Sequence, residues 1–507
     1  MRASSIGRRG FLKSTTALGL GAGLGTWTEL SRITPAVGRE MRLDPDAVCF
    51  RPEIEPIVRW IEETPRDAIL ESAVVKLNDG LSYRDLLGGL FLAGIRNVKP
   101  RPVGFKFHAV LVMNSAHMLG QVADVEDRLM PMFWALDTFK NSQEQDVREG
   151  DWTLKKPEES RLPRPSQARE AFTKAMEDWD AEAADAAITS LCRSAGLGEV
   201  FEAIYRYGLR DHRDIGHKAI FTSQSRRTLE TIGIQHAEPV LRSLVFGLLD
   251  LQGDREKAPV GPYLLNLENA KKIREDWQIG RRDPAASTAF LATIRNASTA
   301  DACSECVKLL NEGVAPESLW DAAILAAGEL MARAPGILPI HAVTSCNALH
   351  YIYMASGDDT TRRLALLQAS GWPSLYRDRV KPKSEFKIDA IAAINPETKG
   401  EEAIGEIFAT IGSNREHAAQ KLVGYLASGG STDAYFRAAR KAIFVKGRDS
   451  HDYKFGAASW EEHLLASDPR FGAPLAAASI FNLPAASTPE SPLMIKARQA
   501  VARIKRT

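Results

Sequence analysis

Long apolar runs are missing from this sequence. No stretch approaches the roughly 20 residues a helix needs to cross a bilayer, so no stable transmembrane segment is expected. Cysteine is scarce: the five at 49, 192, 303, 306 and 346 are too few and too scattered for a disulfide framework. Cys303 and Cys306 have C-x-x-C spacing, but no histidine follows and no second pair exists. Covalent haem and a four-sulfur zinc site are therefore not expected, and the two cysteines read as ordinary helix residues. Charge of one sign is lacking as well. With 65 basic and 64 acidic residues the net charge is +1, which gives no general grip on nucleic acid or anionic lipid. H-E-x-x-H, P-loop, G-x-S-x-G and dinucleotide fingerprints are all absent. Clean two-residue alternation bounded by turns is almost absent too, and without strands no sheet can be built.

What is present begins with an export signal. Arg8-Arg9 is followed by Phe11-Leu12-Lys13, then by the short, glycine-broken apolar stretch Ala17–Gly25. A basic start, a short apolar core and the small-x-small site Ala36-Val37-Gly38 have the build of a secretory signal, and the arginine pair places it in the twin-arginine class. Residues 1–38 are thus expected to direct a folded chain through the twin-arginine translocase to a periplasmic or otherwise exported location. An extended linker is expected over 39–65 and a peripheral tail over 485–507.

Between them, residues 66–484 are expected to form one all-α domain of packed antiparallel helix pairs. Apolar positions three and four apart recur in segment after segment, as in 66–78 and 83–95. Residues 105–119 are apolar on most faces and read as a buried helix. Further helices are expected over 168–195, 213–232, 340–354, 384–393 and 453–466, among others. Proline-bearing charged stretches near 144–167 and 252–285 read as long surface loops.

The histidines sit in unusual places. His108 lies in an apolar run. Asp211, Asp214 and His217 are spaced by three, which on a helix puts them on one face. His341 opens the run 341–350, and His451 begins another, with Lys454 one turn on. A carboxylate three residues before a histidine is a spacing used by inward-facing metal sites of helix bundles, and histidine is the commonest metal ligand. His108, Asp214, His217, His341 and His451 are therefore candidate ligands of a transition metal such as iron. His217, His341 and His451 are candidate metal-binding or acid–base groups, with Lys454 and Arg227 placed to neutralise an anionic intermediate.

At these four segments the chain resembles the questin oxidase-like family. The resemblance rests on His108 ahead of Met113 and Leu119, on His217-Lys-Ala-Ile220 with Arg227 beyond it, on His341-Ala-Val-Thr-Ser-Cys-Asn-Ala-Leu349, and on His451-Asp-Tyr-Lys454. It spans roughly residues 70–480. It implies a helical protein and a Baeyer–Villiger-type oxidation of an aromatic substrate. The pattern departs at Gln224, where a second histidine is expected seven residues after His217. NADPH, which family enzymes draw on, is scarce outside the cytoplasm and is not expected as a cofactor here.

Three functions remain open on the sequence. One is an exported oxidoreductase acting on a small organic molecule in a histidine-lined pocket. A second is a non-enzymatic helical scaffold that binds a partner. The third is a metal-dependent hydrolase that uses the Asp214/His217 face to activate water. Export itself is open to test: the double substitution Arg8→Lys/Arg9→Lys should hold the protein in the cytoplasm on cell fractionation, and undiminished export of that variant would refute the twin-arginine assignment.

Overall fold

Many helix starts in this chain are set by a side chain that accepts the first free backbone N–H groups. Ser82, Asp180, Asp283, Ser298, Asp358, Asn414, Ser431, Asp449 and Asp468 all do so. Each such cap contributes on the order of 1 kcal/mol, and together they fix where one helix stops and the next can begin. The computed structural model describes residues 44–505, so the expected signal over 1–38 and the first residues of the 39–65 segment lie outside the described residues. From Asp46 onward the chain forms one body of packed helices. The described residues contain no β-strand, only the isolated bridges Ala47–Lys155 and Arg281–Val314. The all-α expectation holds.

At the centre lies the helix Ile337–Ala355, whose residues from Pro339 to Tyr353 are buried with the exception of Tyr351. A helix apolar on nearly every face can only be stable with neighbours on all sides. Here the helices His217–Ile232, Pro316–Arg333, Asp359–Arg377 and Ser450–Leu465 pack around it. Among the described residues no helix is long and apolar enough to cross a membrane.

Several boundaries differ from the sequence expectations. The 105–119 segment is not one helix but a 3-10 turn (Phe105–Phe107), a short helix (His108–Leu111) and a second helix (Met113–Gln121). The 168–195 segment breaks at Trp179, where φ is +53°, into Ala168–Glu177 and Ala181–Ser194. Only the turn Ile388–Ala390 is helical within 384–393, and the 252–285 loop contains the helix Tyr263–Lys272. The tail is not peripheral: Pro492–Val501 is a helix with Met494, Ala497 and Ala500 buried.

The expected 39–65 linker is likewise structured. Its helix Glu55–Glu63 is tied down by Arg96, a fully buried guanidinium at the end of the helix Tyr83–Asn97. Arg96 donates to Glu55 at 2.7 Å, to Glu62 at 2.6 Å and to the Val48 carbonyl at 3.1 Å. Removing one partner of such a buried set strands the others in a poor solvent and costs about 3–5 kcal/mol. Arg96→Met should lower the unfolding free energy by that amount in a urea titration, and a variant as stable as the wild type would mean that the two carboxylates find water.

Candidate metal centre

Backbone turns bring the histidines together. The helix expected over 213–232 starts only at His217, because Gly216 before it has φ +87°. A Cβ on Gly216 would sit 2.5 Å from Cβ of Ser345 and 2.9 Å from the Tyr376 hydroxyl, so this turn seats directly against the central helix. Asp211 and Asp214 therefore lie in a loop and do not share a helix face with His217. On the other side, Gly104 with φ +126° lets the chain pass over the His217 ring, where a Cβ would stand 3.0 Å from Cε1. The turn that follows makes His108 the first residue of its short helix. His451 is the second residue of the helix Ser450–Leu465, and His341 lies just beyond the first turn of the central helix. Four helix beginnings thus meet at one place.

The rings there are in contact. Centroids are 4.9 Å apart for His108 and His217, 4.4 Å for His217 and His341, 4.6 Å for His108 and His451, and 5.1 Å for His341 and His451. Every ring has its Nδ1 against an oxygen: the Phe105 carbonyl for His108 at 2.8 Å, the Asp214 carbonyl for His217 at 2.8 Å, the Ile337 carbonyl for His341 at 2.7 Å, and the Asp449 carboxylate for His451 at 3.0 Å. Those oxygens can only accept, so each Nδ1 carries the proton and each neutral ring presents a bare Nε2 lone pair. The Nε2 of His217 faces that of His341 at 2.8 Å and that of His108 at 3.1 Å.

Lone pairs held face to face repel one another. A cation among them removes that repulsion, and cis ligands about 2.1 Å from a metal stand about 3 Å apart. His108, His217 and His341 are the group among the described residues that could hold a metal, with donor atoms all within 4.8 Å of one another. The Nε2 of His451, beside them, is buried and makes no hydrogen bond.

Electrostatics point the same way. Burial first, then the neighbouring Lys454 charge, holds the pKa of His108 and His217 well below the ordinary imidazole value. Burial, then His217 and Lys454, does the same for His341. Burial also lowers that of His451, against the pull of Asp449. Lys454 itself has its Nζ buried without a hydrogen-bond partner, and burial pushes its pKa down to about 7. The set is built to stay unprotonated, the form in which imidazole binds metal. His217 and His341 are buried, while His108 and His451 keep partial exposure.

Two expected site residues play other parts. Asp214 serves the centre through its carbonyl; its carboxylate is buried without a hydrogen-bond partner, with a pKa raised to about 7 by burial, and is not among the converging donors. Arg227 lies ten residues along its helix from His217, about 15 Å at 1.5 Å per residue, and forms a two-pronged ion pair with Glu461 at 2.9 Å for each prong. It neutralises a carboxylate of the protein itself. Gln224, two turns from His217, has its Oε1 buried without a partner. The sequence reading overlooked Asp449, which caps the His451 helix and orients its imidazole; an aspartate two residues before a helical histidine is a legible cap signal.

The depressed histidine values couple folding to pH. Native imidazoles stay neutral while unfolded ones take up protons near pH 6.5, so acidification draws the metal-free protein toward the unfolded state. Its urea midpoint should fall as pH drops through that value, with a shallower fall in a His108→Asn/His217→Asn/His341→Asn variant; equal slopes would mean that the rings titrate freely when folded. No family model, curated protein or solved structure matches the chain.

Proposed function

We propose that this chain is an exported, metal-dependent oxidoreductase whose centre is formed by the imidazoles of His108, His217 and His341, with His451 beside them. The observation that carries the reading is the convergence of Nε2 atoms at 2.8 and 3.1 Å, each ring fixed from behind through Nδ1. An all-nitrogen donor set suits iron, copper, nickel or zinc rather than magnesium or calcium. Bound there, a redox-active ion such as iron would supply one-electron and dioxygen chemistry.

The protein groups have distinct roles in this reading. The four Nδ1 acceptors hold the rings in one tautomer, and such outer partners typically matter 10- to 100-fold in metal affinity. Lys454, buried beside the rings with a pKa of about 7, is poised to accept a proton or to balance the charge of an anionic intermediate. A small hydrophobic organic substrate is in keeping with the resemblance to the questin oxidase-like family, and the exposed apolar side chains of Phe105 and Ile337, whose carbonyls hold His108 and His341, are compatible with it. Twin-arginine export supports the reading because that route carries folded proteins. The hydrolase alternative loses its motivation, since Asp214 and His217 do not present a common face.

Protein isolated from its native compartment or reconstituted anaerobically with ferrous iron should hold about one ion per chain and consume dioxygen with a hydrophobic aromatic substrate. His217→Ala and His341→Ala should each lose the ion while keeping the helical circular dichroism signal. Full metal retention in both variants would overturn the centre, and a wild-type protein that binds no transition metal would leave the scaffold reading in its place.

A further inference from the structure

The helices of His217, His341 and His451 meet a second time, farther along their axes, in a largely buried polar layer. Arg227 stands ten residues from His217, Asn347 six from His341, and Glu461 ten from His451. At 1.5 Å per residue these offsets are about 9–15 Å along each helix. Arg227 reaches both oxygens of Glu461 at 2.9 Å. The Asn347 amide donates to Glu461 at 2.8 Å and to Glu462 at 2.7 Å. His350 donates to the other Glu462 oxygen at 2.8 Å, and its ring stacks on Trp320 with centroids 4.5 Å apart. The Arg227 guanidinium lies 4.1 Å over the Tyr351 ring.

Buried ion pairs are poor sources of stability: replacing one by well-packed apolar groups is often neutral or stabilising. The best-attested use of such groups is to specify register. A forked guanidinium–carboxylate pair is planar and directional, so it tolerates neither a one-residue slide, which moves a helix about 1.5 Å and turns it about 100°, nor a free rotation. The centre needs that restraint. The helices of His217 and His451 each pack on the central helix, and small errors of translation between them would pull the Nε2 atoms out of ligating range. Arg227–Glu461 joins the two outer helices directly, and Asn347 joins the central one to both carboxylates.

We propose that Arg227, Asn347 and Glu461 are positioning residues of the histidine centre, a clamp that locks in register the helices that carry His217, His341 and the neighbouring His451. The proposal rests on the metal-centre reading, and its test separates the two. The double variant Arg227→Met/Glu461→Leu replaces the ion pair with apolar groups. Cobalt(II) serves as the probe, with affinity taken from competition against a chromophoric chelator and geometry from the visible spectrum. Metal-free stability is followed by urea titration, and a crystal structure of the metal-free variant reports the His217–His341 separation.

The clamp predicts metal-free stability close to wild type, cobalt affinity weaker by about 10- to 100-fold, an altered cobalt spectrum, and an Nε2 separation widened from 2.8 Å. Arg227→Lys, which keeps the charge but loses the fork, should fall between the two. If the double variant does not fold, Asn347→Ser, which removes only the bridging amide, is read in the same way. Unchanged affinity together with an unchanged separation would overturn the clamp. If the wild-type protein fails to bind cobalt, the metal reading falls by itself, and the separation in the metal-free crystals alone decides whether the layer positions the rings.

Discussion

Everything at the centre of this molecule depends on where four imidazole protons sit. Each Nδ1–H is engaged by an oxygen of the protein: three main-chain carbonyls and one carboxylate. The opposite nitrogen is thereby left as a bare lone pair, and the fold turns these lone pairs inward. Taken alone, each histidine would be an ordinary helix residue satisfying a carbonyl. Together they form an arrangement that is electrostatically unfavourable when empty of positive charge and favourable around a cation. The acceptors are mostly backbone, so the tautomers are fixed by chain geometry rather than by side chains that could rotate away.

That geometry explains several otherwise unconnected features. Gly216 is needed because a side chain would collide with Ser345 and the Tyr376 hydroxyl. Gly104 is needed because its neighbour is the His217 ring. Phe105 adopts a left-handed backbone at φ +47° and leaves its ring in solvent, a conformation that costs free energy for a bulky residue. The same residue supplies the carbonyl that orients His108. Local strain, close backbone approach and a solvent-facing aromatic ring thus coincide beside His108.

Much of this was legible in the sequence. The recurrence of apolar positions at helical spacing gave the fold class, and histidines embedded in apolar runs singled out His108, His217, His341 and His451. The loop–helix boundary at His217 was harder to read. Asp211, Asp214 and His217 keep helical spacing, but Gly216 supplies a left-handed turn that no periodicity reveals. Arg227 reads from the sequence as a group that neutralises an intermediate, whereas its partner in the fold, Glu461, is 234 residues away in the chain. A pairing of that range leaves no trace in one sequence. The docked tail and the Glu55–Glu63 helix were missed for a related reason, since both owe their order to distant contacts: the burial of Met494 and the buried guanidinium of Arg96.

X-ray absorption at the metal edge of the iron-loaded protein reads directly which atoms would surround a bound ion. A first shell of nitrogen and oxygen scatterers at about 2.0–2.2 Å, with the outer-shell pattern of three or more imidazoles, is the expected result. A sulfur scatterer near 2.3 Å, which would bring in the buried Cys346 five residues from His341, or a shell lacking imidazole, would contradict the histidine centre.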